Sequence, residues 1–135
     1  VIFPIHPRTR KAIEESEIQG RISNSNIIAI EPLGYIDFMC LISNSRAVWT
    51  DSGGIQEETS FLGVPCFTLR ANTERPETIS LGTNSLISEN DILDVREKLS
   101  SEKNQDKAID IPFWDGKTAS RISETIFRWL YTNID

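Results

Sequence analysis

The chain has 135 residues, the length of one ordinary domain and enough to bury a core without disulfide staples. Hydrophobic residues make up 39% and charged residues 25%, which is too apolar for disorder, and 14 Lys+Arg against 20 Asp+Glu leave a net charge of −6. That balance, with no basic block, excludes a nucleic-acid binder driven by phosphate contacts, and no apolar run approaches the ~18–20 residues of a membrane span. Cys40 and Cys66 lie in apolar stretches and are expected as reduced core thiols of a cytoplasmic protein. Val1–Ile5 reads as a strand, and so abrupt an opening is expected of a piece of something longer. A helical stretch over Arg8–Gln19 follows, with Gly20 as its stop. Ile27–Ile30 is a short apolar strand ended by Pro32, and Tyr35–Ile42, interrupted by Asp37, reads as a short helix. Ala47–Thr50 is a buried strand that runs straight into Asp51-Ser52-Gly53-Gly54, and a helix over Gly54–Leu62 is stopped by Gly63 and Pro65. Cys66–Leu69 is the next strand, followed by a polar loop at Arg70–Thr73 and a short helix starting near Glu74–Pro76, where proline suits the first turn. Ser85–Ile87 is the last strand. Ile92, Val95 and Leu99 mark one stripe of an amphipathic helix, and Lys103–Lys107 is a polar surface loop. The closing helix, Lys117–Tyr131, carries Ile122, Ile126, Trp129 and Leu130 on one face.

Short apolar strands alternating with helices make βαβ units, so the fold class is α/β: a Rossmann-like three-layer domain with a parallel sheet, over residues 1–135. Such sheets bind ligands at the carboxyl ends of their strands. The unusual residues fall at such ends: Asp51–Gly54, Arg70–Arg75 and Pro4–His6. At the first, glycine lets backbone approach a bulky anion, and a helix start offers unpaired N–H groups and the positive end of its dipole. Ser52 adds a hydroxyl and can also cap the helix. Glu58 lies one turn above Gly54 on the same face, where a carboxylate can accept two hydrogen bonds from a ribose diol. The alternative is a capped helix with a tight turn and a solvated Glu57–Glu58 pair. Arg75 either neutralises a phosphate at Gly53–Gly54 or pairs locally with Glu74 or Glu77.

Two motifs are set aside. Gly116-Lys117-Thr118 ends like a P-loop, but Ile111 stands where the upstream glycine is required. His6 is the single histidine and has no partner set for zinc, and no G-x-S-x-G elbow is present.

Three strings are specific together: Thr50-Asp51-Ser52-Gly53-Gly54-Ile55-Gln56-Glu57-Glu58, Leu62-Gly63-Val64-Pro65 and Thr73-Glu74-Arg75-Pro76-Glu77. With Pro4-Ile5-His6-Pro7-Arg8, Glu31-Pro32-Leu33-Gly34-Tyr35, Leu81-Gly82-Thr83 and Asp115-Gly116, they extend over nearly the whole chain. The chain resembles the carboxyl-terminal domain of the non-hydrolysing UDP-N-acetylglucosamine 2-epimerases. The resemblance implies half of a glycosyltransferase-B-like architecture (the UDP-glycosyltransferase and glycogen phosphorylase type), with UDP-sugar in the cleft between two Rossmann-like halves. By position it puts Ser52, Gly53 and Gly54 on the diphosphate, Glu58 on the ribose hydroxyls, Arg75 on a phosphate and Phe38 against the uracil. It implies interconversion of UDP-GlcNAc and UDP-ManNAc, by anti elimination of UDP to a 2-acetamidoglucal and re-addition to the opposite face. No cofactor or metal is implied, and the intact protein is expected as a homodimer.

By the same resemblance, the amino-terminal domain with its acid/base carboxylates and the first strand of this domain are expected to lie outside this sequence. No catalytic residue is therefore expected in this chain, which is expected to be inactive alone. His6 matches a histidine linked in some members to a regulatory UDP-sugar site, although Pro7-Arg8-Thr9 follows it here in place of an Asn-containing motif. Trp114, Phe127 and Trp129 are expected on apolar surface exposed by the missing domain. The competing readings are a UDP-sugar-dependent glycosyltransferase of the same architecture, a non-catalytic UDP-sugar-binding module, and the hydrolysing relatives that release free ManNAc and UDP.

Overall fold

The computed structural model describes residues 1–101 and 110–132, so the expected Lys103–Lys107 loop lies outside the described residues. These residues form two compact units, Val1–Leu41 and Ile42–Asp135. All strand pairs among the described residues are parallel, in a two-stranded sheet and a three-stranded sheet.

In the first unit β1 (Ile2–Pro4) pairs with β2 (Ile28–Ile30), with Ile2 opposite Ile28 and Pro4 opposite Ile30. Parallel neighbours need a crossover, supplied by α1 (Pro7–Glu14) and α2 (Ile18–Ser23). Pro7 opens α1, and His6 caps it, Nδ1 accepting the Arg8 N–H at 3.3 Å. The single helix expected over Arg8–Gln19 is two helices, and Gly20 lies inside the second. Ser16 causes the break: its hydroxyl donates to the Ile13 carbonyl at 2.8 Å and accepts the Ile18 N–H at 3.3 Å, closing one helix and opening the next. Ile5 is buried in this unit, and Arg10 pairs with Glu31 at 2.7 Å.

Helix α3 (Tyr35–Ser43) crosses the division between the units and agrees with the expected element. It brings one correction: Cys40 is exposed, whereas Cys66 is fully buried, and the two form no disulfide. Helical geometry turns Cys40 away from the face that buries Ile42, two residues on.

The second unit has strand order β3 (Val48–Thr50), β4 (Cys66–Thr68), β5 (Asn84–Leu86), in register Thr50–Thr68–Leu86 at their carboxyl ends. The crossovers are α4 (Gly53–Leu62) and α5 (Pro76–Ser80). Gly63 ends α4 in the left-handed conformation, φ 72°, as its place in Leu62-Gly63-Val64-Pro65 leads one to expect. A one-turn 3₁₀ helix at Glu89–Asp91, closed by reciprocal Ser88–Asp91 bonds, leads into α6 (Ile92–Ser101). Val95 of the expected α6 stripe is buried, while Ile92 lies at its exposed edge.

Helix α7 (Thr118–Thr132) buries no residue. Its expected apolar face is present but open: Ile122, Ile126, Phe127, Trp129 and Leu130 are all exposed. Trp114 departs from expectation in being half-buried. Arg121 fastens the start of α7, donating to Asp115 at 2.9 Å and to the Phe113 carbonyl at 2.9 Å while lying over the Phe113 ring. The Arg121 hydrogen bonds hold the Asp115 carboxyl below the usual range. No helix among the described residues is long and apolar enough to cross a membrane.

Candidate functional site

Because β3 and β4 are parallel and Thr50 stands beside Thr68, the loops that leave them emerge together. One is the Asp51-Ser52 turn into α4; the other runs from Leu69 to Arg75. Thr50 Oγ1 accepts the Ser52 N–H at 3.0 Å, which pins the first turn. Ser52 occupies the cap position of α4 with an extended backbone, φ −86° and ψ 129°, but its side chain makes no capping bond. The expected capping role is therefore positional only, and the Ser52 hydroxyl has no partner among the described residues. The first N–H groups of α4 also lack intrahelical acceptors, as at any helix start.

The glycines are not explained by packing within the protein. A Cβ added at Gly54 would meet nothing within 4 Å, and one at Gly53 would meet only Glu74 Oε2 at 4.0 Å. Neither glycine has a positive φ. The space over this turn is thus open to a bulky group approaching from outside.

One turn along α4, Glu58 is half-buried and has no ion-pair or hydrogen-bond partner among the described residues. Burial, then repulsion from Glu57, pushes its carboxyl pKa up. Across the site, Arg75 caps α5 and its Nε lies 2.9 Å from Glu57 Oε1. That contact is an ion pair by distance only, because the Nε–H finds no acceptor in hydrogen-bonding geometry. The local pairing with Glu74 or Glu77 is thereby replaced by one with α4, apart from a 3.4 Å bond to the Glu74 carbonyl. Glu74 instead pairs with Arg70 at 3.2 Å; its own backbone N–H and then Arg70 hold its carboxyl low.

Ser52, Gly53, Gly54, Glu58 and Arg75 are thus brought together in the second unit. Phe38, half-buried on α3, and His6, exposed with Nδ1 engaged in capping α1, belong to the first. No group of three metal-ligating side chains occurs among the described residues.

Behind the turn lies a buried polar network that sequence reading missed. Gln56, Thr68, Thr78 and Asn84 are 0–3% exposed. Proton bookkeeping orients each member. Thr78 Oγ1 spends its one proton on the Arg75 carbonyl at 2.7 Å, so it must accept from Asn84 Nδ2 at 3.1 Å. Asn84 Oδ1 then faces Thr68, which donates at 2.6 Å, while Nδ2 also donates to Gln56 Oε1 at 3.0 Å. Gln56 Oε1 takes a second bond from Thr73 Oγ1 at 2.6 Å, and Thr73 Oγ1 accepts the Arg75 N–H at 3.0 Å. Gln56 Nε2 is left buried without a partner among the described residues. The one signal in the sequence was the spacing of uncharged polar residues Gln56, Thr59 and Ser60 at i, i+3 and i+4.

A parallel α/β unit with a sterically open glycine turn at a strand's carboxyl end falls in the class of folds that hold ligands at strand ends. The family model described as UDP-N-acetylglucosamine 2-epimerase matches residues 1–127, and the chain belongs to that family. The UDP-N-acetylglucosamine 2-epimerase of Methanocaldococcus jannaschii is 44% identical over 126 residues, covering 90% of this chain and 33% of that protein. The protein of the same name from Escherichia coli K12 is 35% identical over 133 residues, covering 93% and 34%. The crystal structure of the M. jannaschii UDP-GlcNAc 2-epimerase in complex with UDP-GlcNAc and UDP matches with a TM-score of 0.79 at 39% identity, over 94% of this chain and 35% of that one. The S. aureus MnaA–UDP co-structure matches with a TM-score of 0.78 at 32% identity, over 96% and 36%. The chain spans about a third of the length of the curated relatives it matches.

Proposed function

We propose that this chain is the UDP-binding part of a UDP-N-acetylglucosamine 2-epimerase, and that the intact protein interconverts UDP-GlcNAc and UDP-ManNAc. The observation that carries the reading is the glycine turn at Gly53–Gly54, which no described residue crowds and which stands among Arg75 and two groups without a partner among the described residues, the Ser52 hydroxyl and Glu58. The diphosphate lies over the turn, taking the first N–H groups of α4 and the Ser52 hydroxyl. Arg75 contributes charge from the facing loop, and the Glu58 carboxylate accepts from the ribose diol one turn along. The resemblance assigns Phe38, in the first unit, to the uracil, and makes His6 a candidate contact for a second, regulatory UDP-sugar.

In the reaction this part holds the leaving group. Elimination breaks the bond between the sugar's anomeric carbon and the UDP oxygen, so negative charge grows on the β-phosphate as the bond opens. Helix N–H groups and Arg75 stabilise that charge most where it is largest, in the transition state. Keeping UDP in place lets it add back to the opposite face. Removal and return of the C2 proton fall to acid/base groups on the remainder of the intact protein, an amino-terminal domain, and the intact enzyme works as a cytoplasmic homodimer. The family match supports epimerisation over glycosyl transfer.

Calorimetric titration of the chain with UDP and with uridine tests this. UDP should bind with uridine much weaker, and Ser52→Ala and Glu58→Ala should each weaken UDP about five- to tenfold, the worth of about one hydrogen bond apiece. Equal affinity for UDP and uridine would remove the diphosphate from the turn. The chain alone should not turn over UDP-GlcNAc.

A further inference from the structure

We infer that Gln56, Thr73 and Asn84 are positioning residues that set where Arg75 stands relative to the glycine turn, and thereby set how tightly the chain discriminates a diphosphate. The inference rests on the reading of Arg75 as a phosphate contact.

The side chain of Arg75 is poorly anchored. Both side chains of its ion pair with Glu57 are about two-fifths exposed, and the buried Nε–H makes no hydrogen bond within the pair, so the contact holds the arginine only loosely. Its backbone is gripped from both directions. Thr73 Oγ1 takes the N–H at 3.0 Å, and the Thr78 hydroxyl and N–H reach the carbonyl at 2.7 and 3.1 Å. Neither threonine stands alone: Thr73 is tied to Gln56, and Thr78 to Asn84, which also bonds Gln56.

Gln56 follows Gly54 by two residues, in the first turn of α4. A continuous hydrogen-bonded path therefore runs from the helix start that carries the glycine turn, through the Gln56 amide and Thr73 Oγ1, to the Arg75 N–H. The amide lies where no water competes, since Gln56 is 0% exposed. Its orientation is forced by the proton count, and it is kept although Nε2 goes unbonded. A buried donor left without an acceptor is tolerated where the surrounding bonds over-determine the geometry. The path spans the two loops that a diphosphate would have to touch at once, so it sets the gap between them.

The test uses Thr73→Val, which keeps the shape but can neither donate to Gln56 nor accept from Arg75, with Thr73→Ser as the rescue. UDP affinity should fall about tenfold in Thr73→Val, as for a charged contact moved out of reach, while uridine affinity stays unchanged; Thr73→Ser should stay close to wild type. Amide hydrogen exchange at Arg75 should accelerate in Thr73→Val and not in Thr73→Ser, with the Cys66 amide of β4 reporting that the fold is intact. Parallel weakening of UDP and uridine, or a Thr73→Val chain that keeps both UDP affinity and Arg75 protection, would overturn the inference. If the wild-type chain fails to prefer UDP over uridine, the phosphate reading falls, and with it the link to discrimination. The exchange arm still decides separately whether Thr73 holds Arg75.

Discussion

A Cβ added at Gly54 would meet no atom within 4 Å, whereas one added at Gly82 would lie 2.6 Å from the Thr78 carbonyl oxygen and closer still to the Ser60 hydroxyl. Both glycines belong to the second unit, and both fall within strings that mark the family. Their constraints differ in origin. At Gly82 the protein itself needs the absence of a side chain, because the turn into β5 packs hard on α4 and α5. At Gly54 no described residue needs the absence of a side chain, which fits the proposed approach of a diphosphate to the start of α4. Under the proposed function, folding constrains Gly82 and recognition constrains Gly54.

The largest effect that would break this contrast is at Gly82. Gly82→Ala places a methyl group against backbone and a buried hydroxyl, and denaturant unfolding should show a loss of about 3 kcal/mol or more. Wild-type stability would mean that the turn yields and the contrast is false. Next comes the polar core that Gly82 packs against. Asn84→Ala leaves the Thr68 hydroxyl only the weak Cys66 sulfur and removes a donor from both Gln56 and Thr78, so it should cost about 2–4 kcal/mol in the same measurement. Gly54→Ala is the reverse case. It should leave stability unchanged or raise it by up to about 1 kcal/mol from helix propensity, while calorimetry shows UDP binding reduced at least about tenfold by a methyl in the phosphate's way.

The smallest effect sharpens the recognition side. The Glu58 pKa is raised in the folded chain by burial and then by Glu57. Between its unfolded and folded pKa values the native state binds more protons than the unfolded state, so this group's contribution to stability falls as pH rises through that window. Glu58→Gln should therefore melt higher than wild type at neutral pH and lose that advantage below the folded pKa. A lower melting temperature for Glu58→Gln at neutral pH would mean that the carboxylate supports the fold. Among the described residues Glu58 has no partner to offset that cost, and the proposed ribose diol would supply one.

Helix α4 shows how much was legible in advance and why the rest was hidden. Its start at Asp51–Gly54 and its stop at Gly63 could be read from residues whose backbone preferences act locally. Its inward face could not be read, because the buried positions are Gln56, Thr59 and Ser60, while Phe61 is 70% exposed. A hydrophobicity pattern assigns such a stripe to solvent. It belongs inside only because Thr73 and Asn84, 17 and 28 residues further along, bring matching donors. Ser16 misled in the opposite way: a local hydroxyl interrupted a stretch whose composition reads as one helix.

By itself the sequence determined the α/β class, the alternation of parallel strands and helices, the glycine turn with Glu58 one turn above it, and the family. These follow from periodicity, turn chemistry and contiguous motifs, all of which act over a few residues. Only the tertiary structure decided that Arg75 pairs with Glu57, that the Ser52 hydroxyl makes no cap bond to α4, that Cys40 is exposed while Cys66 is buried, and that a polar network lies behind the site. Each of those depends on which distant side chain supplies the missing donor, acceptor or cover, and local propensity carries no information about that partner.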